Sequence, residues 1–178
     1  MVKWLIAAAG LDRPGIVAEV TRALLDAGAN LEDTSMTRLE DHFAMLLIVT
    51  TPHDLTGARM EELLAPARQR FALQLSVHPV DAREVAGPRG ARWLVTVSGP
   101  DQTGIVHQVT GLLAGRAINV GSLSSRRLPG DDGRPVFLMS IEAEVPEAAA
   151  ADLAGALAAL AQREGLAIHA EPMDEFRL

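Results

Sequence analysis

The chain has no cysteine. Disulfides, thiol catalysis and cysteine-ligated metal are therefore excluded, and the compartment is left open by that count alone. It also lacks any stretch near the roughly 18 uncharged apolar residues of a membrane span, so no membrane partner is expected. A basic stripe is missing too. The formal charge of −7 is spread evenly over both halves, which argues against direct nucleic-acid binding. Ligand spacing such as HExxH is absent from the histidines, His42, His53, His78, His107 and His169. Ser122, Ser124 and Ser125 lack a Gly-x-Ser-x-Gly elbow, and Gly111 to Arg116 lacks the spacing and the lysine of a phosphate-binding loop. Asp131-Asp132 lies in a glycine-bounded turn and reads as solvated. Nothing assembles a nucleophile, a base and an oxyanion donor, so neither an enzyme nor a metal or cofactor is expected.

What is present is a repeat. Gly10-Leu11-Asp12-Arg13-Pro14-Gly15-Ile16-Val17 returns as Gly99-Pro100-Asp101-Gln102-Thr103-Gly104-Ile105-Val106. An apolar run precedes each copy, Trp4 to Ala9 or Trp93 to Ser98, and an apolar stripe at helical spacing follows. The motif reads as a strand-to-helix turn used twice, in two halves of about 85 residues. The internal copy also shows that the apolar start after Met1-Val2-Lys3 is a strand and not a signal peptide. Export is therefore not expected, and the cytoplasm is the expected location.

Taken in order, Lys3–Ala9 predicts a central strand, with Gly10 permitting a tight turn or a close backbone approach. Asp12 is placed as a helix N-cap and Pro14 in the first turn. Ile16, Val20, Leu24 and Ala27 mark a helix that Gly28 stops. Polar Asn30–Leu39 predicts an edge strand, and Phe43–Thr51 a central one. Leu55, Met60, Leu63, Leu64, Ala67 and Phe71 trace a second helix, with a kink or an earlier end near Pro66. Leu73–Pro79 closes the unit. The second half repeats this order from Arg92–Ser98 to Leu166–Glu171, with Pro129 to Gly133 lengthening its hairpin. The fold class is therefore α+β: two ferredoxin-like βαββαβ domains, each a four-stranded antiparallel sheet with two helices on one face. The expected domains are 1–80 and 91–172, joined by a linker at 81–90 and followed by a tail at 173–178.

The pattern of strand, Asp-Arg-Pro-Gly-Ile-Val, helix and Ala-Asn-Leu resembles the ACT domain, a small module that binds amino acids and regulates proteins. Two copies with little else resemble the glycine cleavage system transcriptional repressor family. The resemblance implies that the loop after the first strand forms an effector site, often facing a neighbouring domain. By position this implicates Asp12, Arg13, Pro14, Gly15 and Ile16, and Asp101, Gln102, Thr103, Gly104 and Ile105. Asn30 and Asn119 are carried over as the openings of the second strands. The second loop has Gln102 and Thr103 where the first has Arg13 and Pro14, so the two sites differ. The implied ligand is a small amino acid, glycine or serine, and the implied partner a protein such as a transcriptional activator. A homodimer or higher homo-oligomer is the expected assembly.

At these loops, N–H groups around Gly15 or Gly104 suit the ligand carboxylate, and a carboxylate side chain or the Asn30 or Asn119 amide suits its ammonium. The plainer alternative is that Asp12 and Asp101 only cap helices, that the glycines only permit close packing, and that Arg13 is simply solvated. A different class of function is a ligand-free interaction module whose edge strands, Asn30–Leu39 and Asn119–Leu128, pair side by side. A regulatory subunit of an amino-acid metabolic enzyme is the third reading.

Overall fold

The computed structural model describes residues 1–53, 55–80, 90–130 and 133–173. The chain divides into two compact units, Met1–Glu84 and Val85–Leu178. Residues 81–89 of the expected 81–90 linker, residues 174–178 of the expected 173–178 tail, and Asp131-Asp132 lie outside the described residues.

The first unit runs β1 (Val2–Leu11), α1 (Ile16–Asp26), β2 (Asn30–Leu39), β3 (His42–Thr51), α2 (Gly57–Phe71) and β4 (Gln74–Pro79). The second runs β5 (Ala91–Pro100), α3 (Ile105–Ala114), β6 (Asn119–Pro129), β7 (Pro135–Val145), α4 (Glu147–Glu164) and β8 (Ala167–Pro172). Each sheet is antiparallel, in the order β2-β3-β1-β4 or β6-β7-β5-β8. This is the ferredoxin-like arrangement that the sequence predicts, twice over.

Period-two alternation decides which side of each sheet is covered. Trp4, Ile6 and Ala8 of β1 and Phe43, Met45, Leu47 and Val49 of β3 are buried together with Ile16, Val20 and Leu24 of α1 and Met60, Leu64, Ala67 and Phe71 of α2. Between them, Leu5, Ala7, Ala44 and Leu46 point to the uncovered face, where Leu46 is half exposed. The second core repeats this with Val95, Val97, Met139 and Ile141 against Val109, Leu113, Leu153 and Leu157. All ten residues of β2 are exposed, as the edge position requires. Each outer strand carries a register shift near its start, between Leu31 and Asp33 and between Val120 and Ser122.

Two expectations about α2 are corrected, and of the two roles open to Gly10 the close backbone approach is the one found. α2 does not end at Pro66 but runs on to Phe71, with Leu64, Ala67 and Phe71 buried in the core on either side of that proline. That helix starts after Leu55 and not at it, since the Thr56 hydroxyl accepts from the Arg59 N–H at 3.3 Å and caps it. Gly10 makes no tight turn; it is part of β1, and a Cβ there would lie 2.9 Å from Leu73 Cδ2. The same approach recurs at Gly99, 2.7 Å from Leu166 Cδ2. Glycine at these rungs lets the chain entering the last strand pack against the first.

The repeats part at their tryptophans. Trp4 Nε1 donates to Thr51 Oγ1 at 2.9 Å inside the first core. Trp93 holds the matching position, but Val145 stands where Thr51 would be, and the buried Trp93 Nε1 has no partner among the described residues. A Thr51→Val variant strands the first indole N–H as well, at a cost of about 1–3 kcal/mol. Val145→Thr supplies the missing acceptor and regains roughly 1 kcal/mol. Urea unfolding followed by indole fluorescence checks both signs. Equal midpoints for all three proteins would show the indole bond to be energetically silent.

Candidate functional site

Between β1 and α1 the chain passes from strand to helix in the residues Asp12 to Gly15. Gly15 sets the turn, with φ 98° and ψ −7°, and Gly104 does the same with φ 96° and ψ −4°. In that left-handed region a side chain costs about 1–2 kcal/mol, so glycine is the residue that fits. Each glycine is also the helix N-cap, and no side chain caps either helix. Asp12 and Asp101 are therefore not N-caps, which corrects the expectation drawn from residue type. They reach sideways instead, Asp12 Oδ2 to Arg38 Nη1 at 3.6 Å and Asp101 Oδ2 to Arg127 Nε at 2.7 Å. Pro14 also moves out of the helix, which begins at Ile16.

With glycine as cap, the first-turn N–H groups of Val17 and Ala18, and of Val106 and His107, have no side-chain acceptor among the described residues. Such groups carry the positive end of the helix dipole and suit an anion. In the first unit they border a cavity of about 480 Å³ lined by Asp12, Arg13, Pro14, Gly15 and Ile16 together with Val17, Ala18, Met36 and Phe43. The concavity at the same end of the second unit, about 450 Å³, is lined by Ser98, Gly99, Pro100, Arg134, Pro135 and Val136 and by none of Asp101 to Ile105. The first loop thus lines the concavity beside it, and the second does not line this one.

Their side chains differ further. Ile16 and Ile105 are 2% and 3% exposed, so both belong to the cores beneath the loops. Arg13 is exposed and forms no ion pair among the described residues, whereas Gln102 Nε2 donates to the Glu164 carbonyl at 2.9 Å at the end of α4. Pro14 and Thr103 are exposed. Beneath Gly15 lies the Phe71 ring, 3.6 Å from where a Cβ would stand. Glu164 takes the place of Phe71 just before the left-handed residue that ends the helix, Gly165 in α4 and Ala72 in α2. Hydrogen bonds from Arg163 and then Gln108 hold the Glu164 carboxyl below the usual carboxylate range. Gln108 Oε1 is buried without a partner.

Asn30 and Asn119 are not brought to these loops within their own units. Asn30 pairs with Thr50 at one end of the sheet, whereas Leu11, next to the loop, pairs with His42 at the other. Asn119 likewise pairs with Glu144, and Pro100 with Val136. Residues that the sequence reading missed are Met36 and Phe43, which line the cavity, and Arg38 and Arg127, which engage the loop aspartates. The arginines were findable, because Arg127 repeats Arg38 at the same offset as the glycine motif. Among the described residues no group of three or more His, Asp or Glu is arranged to hold a metal.

Fold and turn together define a tandem of ferredoxin-like units, each with an uncapped helix start behind a left-handed glycine. The ACT-domain family model matches residues 3–78, and the chain belongs to the ACT-domain family. It is 34% identical over 82 residues to a UPF0237 protein of Methanopyrus kandleri, spanning 46% of this chain and 91% of that one. It is also 29% identical over 161 residues to the glycine cleavage system transcriptional repressor of Escherichia coli, spanning 87% of this chain and 82% of that one. A crystal structure of an unknown protein from Galdieria sulphuraria superposes with a TM-score of 0.86 at 28% identity, covering 97% of this chain and 99% of that one.

Gly15→Val places a β-branched side chain at φ 98° and is expected to destabilise the first unit by about 2 kcal/mol or more. Gly28→Ala, at φ 65° with nothing within 4 Å of the new methyl, is the milder control. Denaturant midpoints that rank the two the other way would show that the loop turn is not the tighter constraint.

Proposed function

We propose that the chain is an amino-acid-sensing regulatory protein, similar in role to the glycine cleavage repressor, that acts through protein contacts. The observation that carries this is the first loop, where N–H groups without side-chain acceptors border a cavity large enough for a small amino acid. The ligand class is a small amino acid, glycine or serine, and the protein partner a transcriptional activator. Regulation by contact fits the acidic charge of −7, which disfavours holding DNA directly. Family membership and the repressor relative support a regulatory role over a catalytic one.

A second reading, an interaction module without a ligand, is favoured by β2 itself. It is an edge strand exposed along its whole length, with Leu31, Met36 and Leu39 exposed by 45%, 57% and 68%. Such an edge offers unpaired backbone groups and apolar side chains to another strand. The two readings meet in a homo-oligomer. Antiparallel pairing of β2 with β2 of a second copy spans about 30 Å and carries Asn30 of one copy to the loop end of the other. The amide absent from the loop within one unit is then supplied from outside.

A thermal-shift screen against the common amino acids separates these readings. A ligand at 100 times its Kd adds about 2.7 kcal/mol to stability. A selective rise in Tm with a small amino acid is expected. No rise with any of them would favour the interaction module. Duplex DNA is expected to give no binding signal, and one that falls steeply with added salt would overturn regulation by contact alone.

A further inference from the structure

The loop aspartates, freed from capping, are drawn the same way in both units. Arg38 and Arg127 stand opposite Phe43 and Phe137 on the outermost strands and reach Asp12 at 3.6 Å and Asp101 at 2.7 Å. The backbone makes the same connection. Asp12 N donates to Asp41 O at 2.8 Å and Asp101 N to Pro135 O at 3.1 Å, so each loop start is tied to the hairpin beside it by a main-chain bond and an ion pair. The arginines are 69% and 67% exposed, and pairs that exposed contribute little to global stability. Their effect is therefore local, and electrostatics shows what it is. A bare aspartate beside a helix start occupies the positive potential that an incoming carboxylate needs. An arginine on that aspartate cancels its charge and leaves the N–H groups to the ligand.

We propose that Arg38 and Arg127 are positioning residues for the loop sites. Each holds its own loop's aspartate onto the edge strand, so that the aspartate orients the turn and does not accept the ligand's ammonium. The loop and the edge strand then move together. Binding at one is felt at the other, and a second copy seated on β2 acts on the loop through Arg38. The ligand half of this proposal rests on the amino-acid reading above, whereas the latch itself does not.

Two measurements on the full chain test them separately. In hydrogen exchange, Arg127→Gln is expected to speed exchange of the amides from Asp101 to Val106 about fivefold, the upper end for an exposed ion pair, while Arg127→Lys keeps them protected. Unchanged exchange in both Arg127→Gln and Arg38→Gln overturns the latch whatever binds. In calorimetric titration with glycine and serine, Arg38→Gln with Arg127→Gln weakens binding roughly tenfold by leaving the aspartates unpaired. Adding Asp12→Asn and Asp101→Asn removes the repulsive charges and recovers most of it. Loss of binding in the two aspartate variants alone, with the arginine variants unaffected, overturns the assignment by making the aspartates direct acceptors. No binding to the unaltered chain overturns the amino-acid reading, and the exchange rates still decide the latch.

Discussion

Each unit depends on one backbone constraint. The chain must leave β1 at Leu11 and enter α1 at Ile16 at an angle that lays Ile16, Val20 and Leu24 on the sheet. A left-handed residue at Gly15 makes that turn, and Gly104 makes it again within a few degrees. Several features follow. With glycine as the cap, no side chain among the described residues satisfies the first helical N–H groups. With no cap to form, the loop aspartate is free to reach the edge strand. The turn that orients the helix for packing is thereby the turn that leaves the helix start without a side-chain cap, so the fold and the proposed site share a cause.

The helix dipole alone is a weak basis for recognition, since its effect fades within one turn and is screened by salt. The geometry around the first loop adds an apolar lining from Met36 and Phe43 and a local cation, Arg13, without an ion pair among the described residues. The second loop keeps the backbone but spends its amide side chain, Gln102, on the end of α4, and it exchanges Phe71 for the charged Glu164. Two loops with one backbone and different surroundings offer different recognition chemistry, because selectivity comes from side chains converging on the backbone donors.

Much of this was legible from residues alone, and what was not has identifiable reasons. Strand and helix order followed from periodicity because the cores are simple: alternating apolar residues on β3 and an i, i+4 stripe on α1 admit one solution each. Pro66 misled because the burial of Ala67 and Phe71 carries α2 past it, and that is a tertiary property. Asp12 misled because an aspartate shortly before a helix is so often a cap; the competing preference of Gly15 for positive φ moved the helix start past it. Asn30 lies at the far end of its own sheet from the loop, a fact set by antiparallel pairing with Thr50 that no local pattern carries. The loop glycines needed no structure to be singled out, since repetition marked them. Arg38 and Arg127 carried the same mark and were passed over, because an exposed arginine on an edge strand has an adequate explanation without a partner.

Comparing the repeats within one chain separates what the fold demands from what each unit does with it. Both copies have the left-handed glycine, the close approach of Gly10 to Leu73 or Gly99 to Leu166, and the aspartate–arginine pair. They differ at the indole partner, Thr51 or Val145, and at the residue before the second helix's end, Phe71 or Glu164. The glycines occur twice because the backbone forbids alternatives there. No such prohibition applies to an ion pair whose arginines are two-thirds exposed, since nearly any polar pair would be tolerated sterically and the global stability at stake is small. Its recurrence at matched positions is what the proposed latch accounts for, with each arginine offsetting a negative charge at the mouth of a helix start. The edge strand that supplies the arginine is also the outermost strand of its sheet, so in each unit a single side chain joins the loop to that edge.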